Sequence, residues 1–250
     1  MMDRDRELQL LHEEIDALKK KVQRLEGGPG EQVPTYQYSK IRDRELQELF
    51  EIEQNLDAGR FDEWFNNAIE LDATIETFLA DLLADNQALI ERYGEEDLKV
   101  NFLVPLLNNI RFKSFETKMR DSYEVPLSYA TNRFLLSGTV DFVVAEGLVE
   151  RKKPYFFIQE FKRSEDYGNP RPQLLAELIS AVELNGWTCI KGAYIIGGSW
   201  HFVILEKLAS DSYQYVLSRN FDSTRMDDLR AIYANLLAVK QEILTMIENT

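Results

Sequence analysis

Apolar residues recur at alternating intervals of three and four near the start of the chain, at Leu8, Leu11, Ile15, Leu18, Val22 and Leu25. This rhythm is typical of a coiled coil. It predicts a helix over residues 1–26 that pairs protomers into a homo-oligomer, and the alternative is an amphipathic helix packed on its own domain. The glycines and proline at 27–30 end any helix and open a predicted linker over residues 27–38.

Residues 39–93 carry a second pattern, in which aromatic and aliphatic residues recur at helical spacing, among them Phe61, Trp64, Phe65, Phe78, Leu79, Leu82 and Leu83. The pattern predicts an acidic helical segment with one face in the core. A similar pattern over residues 221–250 predicts a C-terminal helix that packs on this segment.

The central part of the chain, residues 94–220, combines helical patterns with apolar runs of strand type. Two runs, 138–144 and 155–162, are separated by a charged turn at 150–154. Two more strands flank the glycine pair at 197–198, and 213–217 is predicted to add an edge strand. We therefore expect an α/β fold, with a mixed sheet flanked by helices.

Three charged residues interrupt the two central strands. Glu160 and Lys162 are two residues apart, so both project from the same face of their strand, and a hairpin partner can bring Asp141 beside them. Charges inside apolar strands are costly unless they are paired or bind a metal. Asp141 and Glu160, with the carbonyl of Phe161, therefore form a candidate site for Mg²⁺.

An exposed strand would change this interpretation, since Glu160 and Lys162 would then be an ordinary ion pair in a structural oligomer. Apolar neighbours on both faces, Phe156, Phe157, Ile158 and Phe161, favour a buried strand instead.

The order of a G-x-x-D strand (Gly138 to Asp141) and an E-x-K strand (Glu160 to Lys162) resembles the catalytic signature of the PD-(D/E)XK nuclease superfamily. The resemblance is to restriction-endonuclease-like members, including the N-terminal nuclease domain of type I restriction subunits. It implies an acidic pair that binds Mg²⁺, for which Mn²⁺ can substitute, and a lysine that positions or activates the water attacking a phosphodiester. Val140 departs from the family name, which has proline there.

Residues 94–107 resemble the first core helix of the same family, in which a glutamate precedes an apolar run. The resemblance implies that Glu95 or Glu96 is a further acid near the metal, with Glu95 in a catalytic role or Glu96 as a ligand. The alternative is that these acids face the positive end of the helix dipole.

The prolines at 170 and 172 open a predicted helix that resembles the family helix after the E-x-K strand. The resemblance implies that Gln173 lies near the active site, whereas the alternative is an exposed first-turn residue. Arg163 and Arg171 are the candidate phosphate contacts because they neighbour the site.

The net charge of −14 is unusual for a nucleic-acid-binding protein, but it is unevenly distributed. Residues 40–97 hold 5 Lys and Arg against 17 Asp and Glu, whereas residues 98–207 hold 14 against 12. Residues 98–207, which make up most of the predicted core, are thus slightly basic. This distribution is compatible with a nucleic-acid substrate, and the predicted function is a nuclease for which DNA is the expected substrate rather than RNA.

The amino-acid composition excludes several kinds of site. The single cysteine, Cys189, excludes an intrachain disulfide and a cysteine-based zinc cluster, and it is predicted to be a small buried strand residue. No apolar stretch is long enough to cross a membrane, and the polar N-terminus is unlike a signal sequence, so a cytoplasmic protein is expected.

The alternative function is an inactive nuclease-fold assembly module that binds a protein partner. The intact Asp141, Glu160 and Lys162 argue against it.

Overall fold

A mixed nine-stranded sheet forms the centre of the computed structural model, which describes residues 33–150, 152–162 and 169–248. Its strands are β1 (Thr35–Gln37), β2 (Glu51–Asn55), β3 (Met119–Ala130), β4 (Leu135–Glu146), β5 (Lys152–Lys162), β6 (Cys189–Ile196), β7 (Ser199–Ala209), β8 (Ser212–Leu217) and β9 (Phe221–Asp222). The order across the sheet is β1-β4-β5-β6-β7-β8-β2, with β3 paired to β4 and β9 paired to β7. The predicted coiled coil over residues 1–26 lies outside the described residues.

Helices flank both faces of this sheet. They are α1 (Asp43–Leu49), α2 (Asp62–Phe65), α3 (Ala73–Asn86), α4 (Glu95–Leu98), α5 (Val104–Ile110), α6 (Pro170–Asn185) and α7 (Met226–Glu248). A π-helical turn, Lys99–Leu103, joins α4 to α5. Short 3-10 turns occupy Tyr38–Lys40, Ala58–Phe61 and Ile90–Arg92. The predicted α/β class, a mixed sheet flanked by helices, is confirmed. Among the described residues, no helix is both long and apolar enough to cross a membrane.

The sheet separates two apolar clusters. Phe157 on β5 belongs to the cluster formed with α2, α3, α5 and α7, whereas its neighbour Ile158 belongs to the cluster formed with α6. On the second side, α6 is covered in turn by the segment around Tyr38 and α1, so residues 172–182 are all buried. Helix α6 also connects the parallel strands β5 and β6, as a parallel pair requires.

Two strands lie where the sequence predicts other structures. Thr35–Gln37, in the predicted linker, pairs parallel with β4, and Glu51–Asn55, inside the predicted helical segment, pairs parallel with β8. Strand β8 is therefore an inner strand rather than the predicted edge. Both segments are too short for their own periodicity to identify them, because pairing with a distant strand determines their conformation.

Cys189 also differs from its prediction. It is the first residue of β6 and is exposed rather than buried. The core begins at the next residue, Ile190, which is 3% exposed.

The C-terminal helix α7 packs on the helices of the segment 39–93. The indole Nε1 of Trp64 donates to the backbone oxygen of Asn235 at 2.9 Å, and Arg230 forms an ion pair with Glu76 at 2.8 Å. These contacts place α2, α3 and the C-terminal helix on the same face of the sheet, opposite to α1 and α6.

Gly138, the glycine of the G-x-x-D pattern, allows a close contact between β4 and Tyr38. A Cβ atom at this position would lie 2.8 Å from the Tyr38 ring, which is closer than van der Waals contact permits. Tyr38 is fully buried, and its hydroxyl donates to Ser180 Oγ on α6 at 2.8 Å. The glycine therefore lets one aromatic side chain connect β4 to α6 beside the candidate site.

We predict that Gly138→Ala destabilises the protein by about 1–3 kcal/mol, since the added methyl group overpacks the Tyr38 contact. Urea denaturation measures the loss. Thr139→Ala, at the exposed next position of the same strand, is the control and is expected to change stability far less. Equal stability of Gly138→Ala and the parent protein would contradict the steric argument.

Candidate functional site

The pairing of β4 with β5 brings the predicted acidic residues together. Phe142 pairs with Gln159, and the continuation of this register places Asp141 opposite Glu160. A carboxylate oxygen of Asp141, Oδ2, accepts a hydrogen bond of 2.8 Å from the backbone nitrogen of Phe161. Two residues distant in sequence therefore face each other across one strand pair.

Lys162 completes this group from the end of β5. Its Nζ donates to Glu160 Oε1 at 2.6 Å and to the Phe161 carbonyl at 2.9 Å. The structure thus brings together Asp141, Glu160 and Lys162, and it adds the carbonyl of Phe161 to the same group.

The backbone is irregular at this point of the sheet. On β4, Val140 packs in the cluster on the α6 side, but Phe142, two residues later, packs in the cluster on the opposite side. Facing Asp141 on β3, Glu124 has a positive φ of 51°, which is uncommon for a residue other than glycine. Irregularities of this kind redirect side chains and are frequent beside active sites.

The two carboxyl groups lie in an unfavourable electrostatic environment. Glu160 is fully buried, and burial together with the charge of Asp141 raises its pKa well above the usual value. Burial also raises the pKa of Asp141, although Lys162 and the Phe161 nitrogen oppose this effect. Glu160 Oε2 is buried and accepts no hydrogen bond from a donor group, and a hydrogen bond between the two carboxyls contributes to the raised pKa of Glu160. A free, buried carboxylate oxygen beside a second carboxylate is chemically suited to a hard cation.

Protein side chains alone do not complete a metal site here. Within the described part of the chain, no three Asp, Glu, His or Cys side chains are grouped so that they could hold a metal ion. Mg²⁺ usually keeps several waters and takes one or two carboxylates together with substrate phosphates, and a two-carboxylate site meets that requirement.

Lys162 remains a cation in this environment. Burial acts to lower its pKa, but the charge and hydrogen bond of Glu160 more than offset burial, and the pKa is raised. At neutral pH the side chain is therefore an ammonium group that can donate hydrogen bonds but cannot accept a proton.

The two acids predicted on the first core helix occupy the exposed first turn of α4. The charge of Glu95 makes a minor contribution to the raised pKa of Lys162. Glu96 acts electrostatically on Lys99, which is ion-paired with Glu124. Of the two acids, Glu95 is thus the one whose charge acts on a residue of the site.

Gln173 is buried rather than an exposed first-turn residue, which excludes the alternative interpretation. Its Nε2 donates to Glu177 Oε1 at 3.0 Å. Glu177 is fully buried as well and was not identified from the sequence. One sequence feature could have identified Glu177: it is a carboxylate four residues after Gln173 within an otherwise apolar stretch of helix. That spacing places both side chains on one face of the helix.

The two predicted phosphate contacts differ in what the structure shows. Arg163 lies outside the described residues. Arg171 is at the start of α6, where its Nη2 forms an ion pair of 2.5 Å with Asp43 of α1. As it stands, the guanidinium links two helices, and a contact with phosphate requires it to share or exchange that partner.

A comparison of the chain with models of known protein families finds no match, and a comparison with curated proteins finds none either.

We predict that Asp141→Asn raises the melting temperature at about pH 7.5, by roughly 2–4 °C for each kcal/mol of repulsion removed. A carboxyl whose pKa is raised by folding stabilises the native state below its usual pKa, 3.8 for Asp141, and that stability is lost as the pH rises through the folded pKa. The difference between variant and parent is therefore expected to shrink as the pH falls toward about 4. Thermal denaturation in metal-free buffer measures it.

Asp228→Asn is a control for which the opposite change in melting temperature is expected. Partial burial opposes the shift, but hydrogen bonds from Arg219 and from the backbone nitrogen of Asp222 lower the pKa of Asp228. This variant is expected to lower the melting temperature at about pH 7.5. A lower melting temperature for Asp141→Asn at every pH above about 5 would show that its carboxylate stabilises the fold.

Proposed function

We propose that the protein is a divalent-metal-dependent nuclease that hydrolyses phosphodiester bonds in DNA. One observation supports this above the others: Asp141 and Glu160 face each other with a buried, unpartnered oxygen on Glu160, and Lys162 lies in hydrogen-bond contact. A buried pair of like charges is destabilising even beside an ammonium group. Its presence in the fold therefore indicates a functional role. This arrangement agrees with the signature that the sequence resembles.

Asp141 and Glu160 are the residues that would hold Mg²⁺ or Mn²⁺, and the Phe161 carbonyl is a further oxygen in reach of Lys162. When bound, the cation supplies charge stabilisation at the phosphate and a more acidic water. Oε2 of Glu160 fits this role because no donor group among the described residues is bonded to it and the neighbouring carboxyl is that of Asp141.

Lys162 acts as a fixed cation rather than as a base. Its raised pKa keeps the ammonium protonated, so it orients the attacking water and stabilises negative charge that develops on the phosphate oxygens. Glu160 holds this ammonium in place through the 2.6 Å hydrogen bond. Of the two roles expected from the family resemblance, the structure favours positioning over proton abstraction.

DNA is the proposed substrate. Residues 98–207, which include the site, carry slightly more basic than acidic residues, and the excess acid lies in residues 40–97. Arg171 and Arg163 are the proposed phosphate contacts, and Glu95 or Glu96 is the proposed additional acid.

The predicted coiled coil would pair two protomers, which suits cleavage of both strands of a duplex. A monomeric full-length chain in light scattering would contradict this pairing.

The test is cleavage of supercoiled plasmid and of single-stranded DNA by the purified chain in Mg²⁺, Mn²⁺ or EDTA. Cleavage is expected only with a divalent cation. We expect Asp141→Ala to abolish it and Lys162→Ala to slow it by about 100-fold or more, since each removes stabilisation of the transition state.

Glu183→Gln is the matched control, because Glu183 lies on α6 and is ion-paired with Lys207, away from the site. It should retain full activity. Circular dichroism of each variant verifies that it is folded. Absence of cleavage and of cation binding in the parent protein would overturn the nuclease proposal and favour an assembly module with a protein partner.

A further inference from the structure

Glu177 is a buried acid that the mechanism above does not use. It lies in the second turn of α6, is fully buried, and its Oε2 accepts no hydrogen bond. Leaving a carboxylate oxygen unpaired in the interior is costly. Its other oxygen, Oε1, accepts from Gln173, so the side chain is held in one orientation.

Glu177 lies in the same layer of the molecule as the acidic pair. Glu160 projects from the face of β5 that carries Ile158, and Ile158 packs in the cluster formed with α6. In that layer Glu160 Oε2 and Glu177 Oε2 are both buried and both lack a partner. The charge of Glu160 adds to the effect of burial in raising the pKa of Glu177, so the two carboxyls lie within electrostatic reach.

The hydrogen bonds around Glu177 leave one of its two carboxylate oxygens unpaired. Gln173 donates a hydrogen bond to Glu177, whereas the Ser180 hydroxyl, one turn further along α6, accepts from Tyr38 and donates to the backbone oxygen of Ala176. A purely structural buried carboxyl would have donors for both oxygens. Glu177 instead keeps one oxygen free beside a second acid with a free oxygen.

We propose that Glu177 belongs to the cation site of Asp141 and Glu160: its carboxylate increases the affinity of that site for a divalent cation, and Gln173 positions it. This inference rests on the proposed nuclease function and extends its metal site to a third acid, contributed by helix α6. Because no three acids are grouped as direct ligands among the described residues, Glu177 acts through its charge and through water held by the cation.

Glu177→Gln tests this role in the whole chain, since it keeps the size of the side chain while it removes the ionisable carboxyl and replaces one of its oxygens with an amide nitrogen. Titration with Mn²⁺ and with Mg²⁺ in a calorimeter, without nucleic acid, gives the affinity directly. We expect cation binding to weaken about tenfold, equivalent to ~1.4 kcal/mol. The melting temperature of the metal-free variant is expected to be unchanged or higher, because a like charge has been removed beside Glu160.

Glu183→Gln makes the same chemical change on the same helix, at a residue whose charge is already paired with Lys207. It should leave cation affinity unchanged. Gln173→Leu removes the donor to Glu177, and we expect it to weaken cation binding in the same direction as Glu177→Gln.

The outcomes separate the inference from the function on which it rests. Equal cation affinity in Glu177→Gln and the parent protein would overturn the role of Glu177 and leave the two-carboxylate site intact. No cation binding by the folded parent protein would overturn the proposed metal site itself. A metal-free Glu177→Gln variant that is clearly less stable, with Gln173→Leu unchanged in affinity, would assign Glu177 to structure and contradict the inference.

Discussion

The buried, unpartnered oxygen of Glu160 is the constraint on which the interpretation of this structure depends. Asp141 stands opposite Glu160, and the ammonium group of Lys162 donates a hydrogen bond to Glu160. An ion pair of this kind is a weak source of stability, because desolvation opposes the attraction and the second acid repels the first. The fold therefore holds an electrostatic arrangement that a divalent cation would complete.

The architecture explains how such a group can be held in place. Helix α6 lies between the sheet and the segment around Tyr38, so its polar side chains Gln173, Glu177 and Ser180 are buried. Gly138 allows Tyr38 to pack against β4, and the Tyr38 hydroxyl donates to α6. Strand β4, the Tyr38 ring and helix α6 are thus in mutual contact beside the acidic residues of the candidate site. Sites supported in this way retain their geometry, because each side chain has little room to move.

Sequence patterns predicted strands and helices correctly where the pattern extends over a long element. The strands carrying Asp141 and Glu160, and the helix that begins at Pro170, follow from periodicity and proline placement. Strands β1 and β2 did not, because three and five residues give too little pattern and their partners are more than 90 residues away. Glu177 was missed for another reason: a lone acid in a helix is ordinarily exposed, and only packing on both sides buries it.

The charge state of Lys162 links the structure to its chemistry. A lysine buried alone loses its proton, whereas a lysine beside carboxylates keeps it, and here the effect of Glu160 exceeds that of burial. The same carboxylates that form the proposed cation site therefore also keep the ammonium charged. Glu160 therefore has two roles in the proposed mechanism: it is a residue that would hold the cation, and its hydrogen bond keeps Lys162 charged and in place.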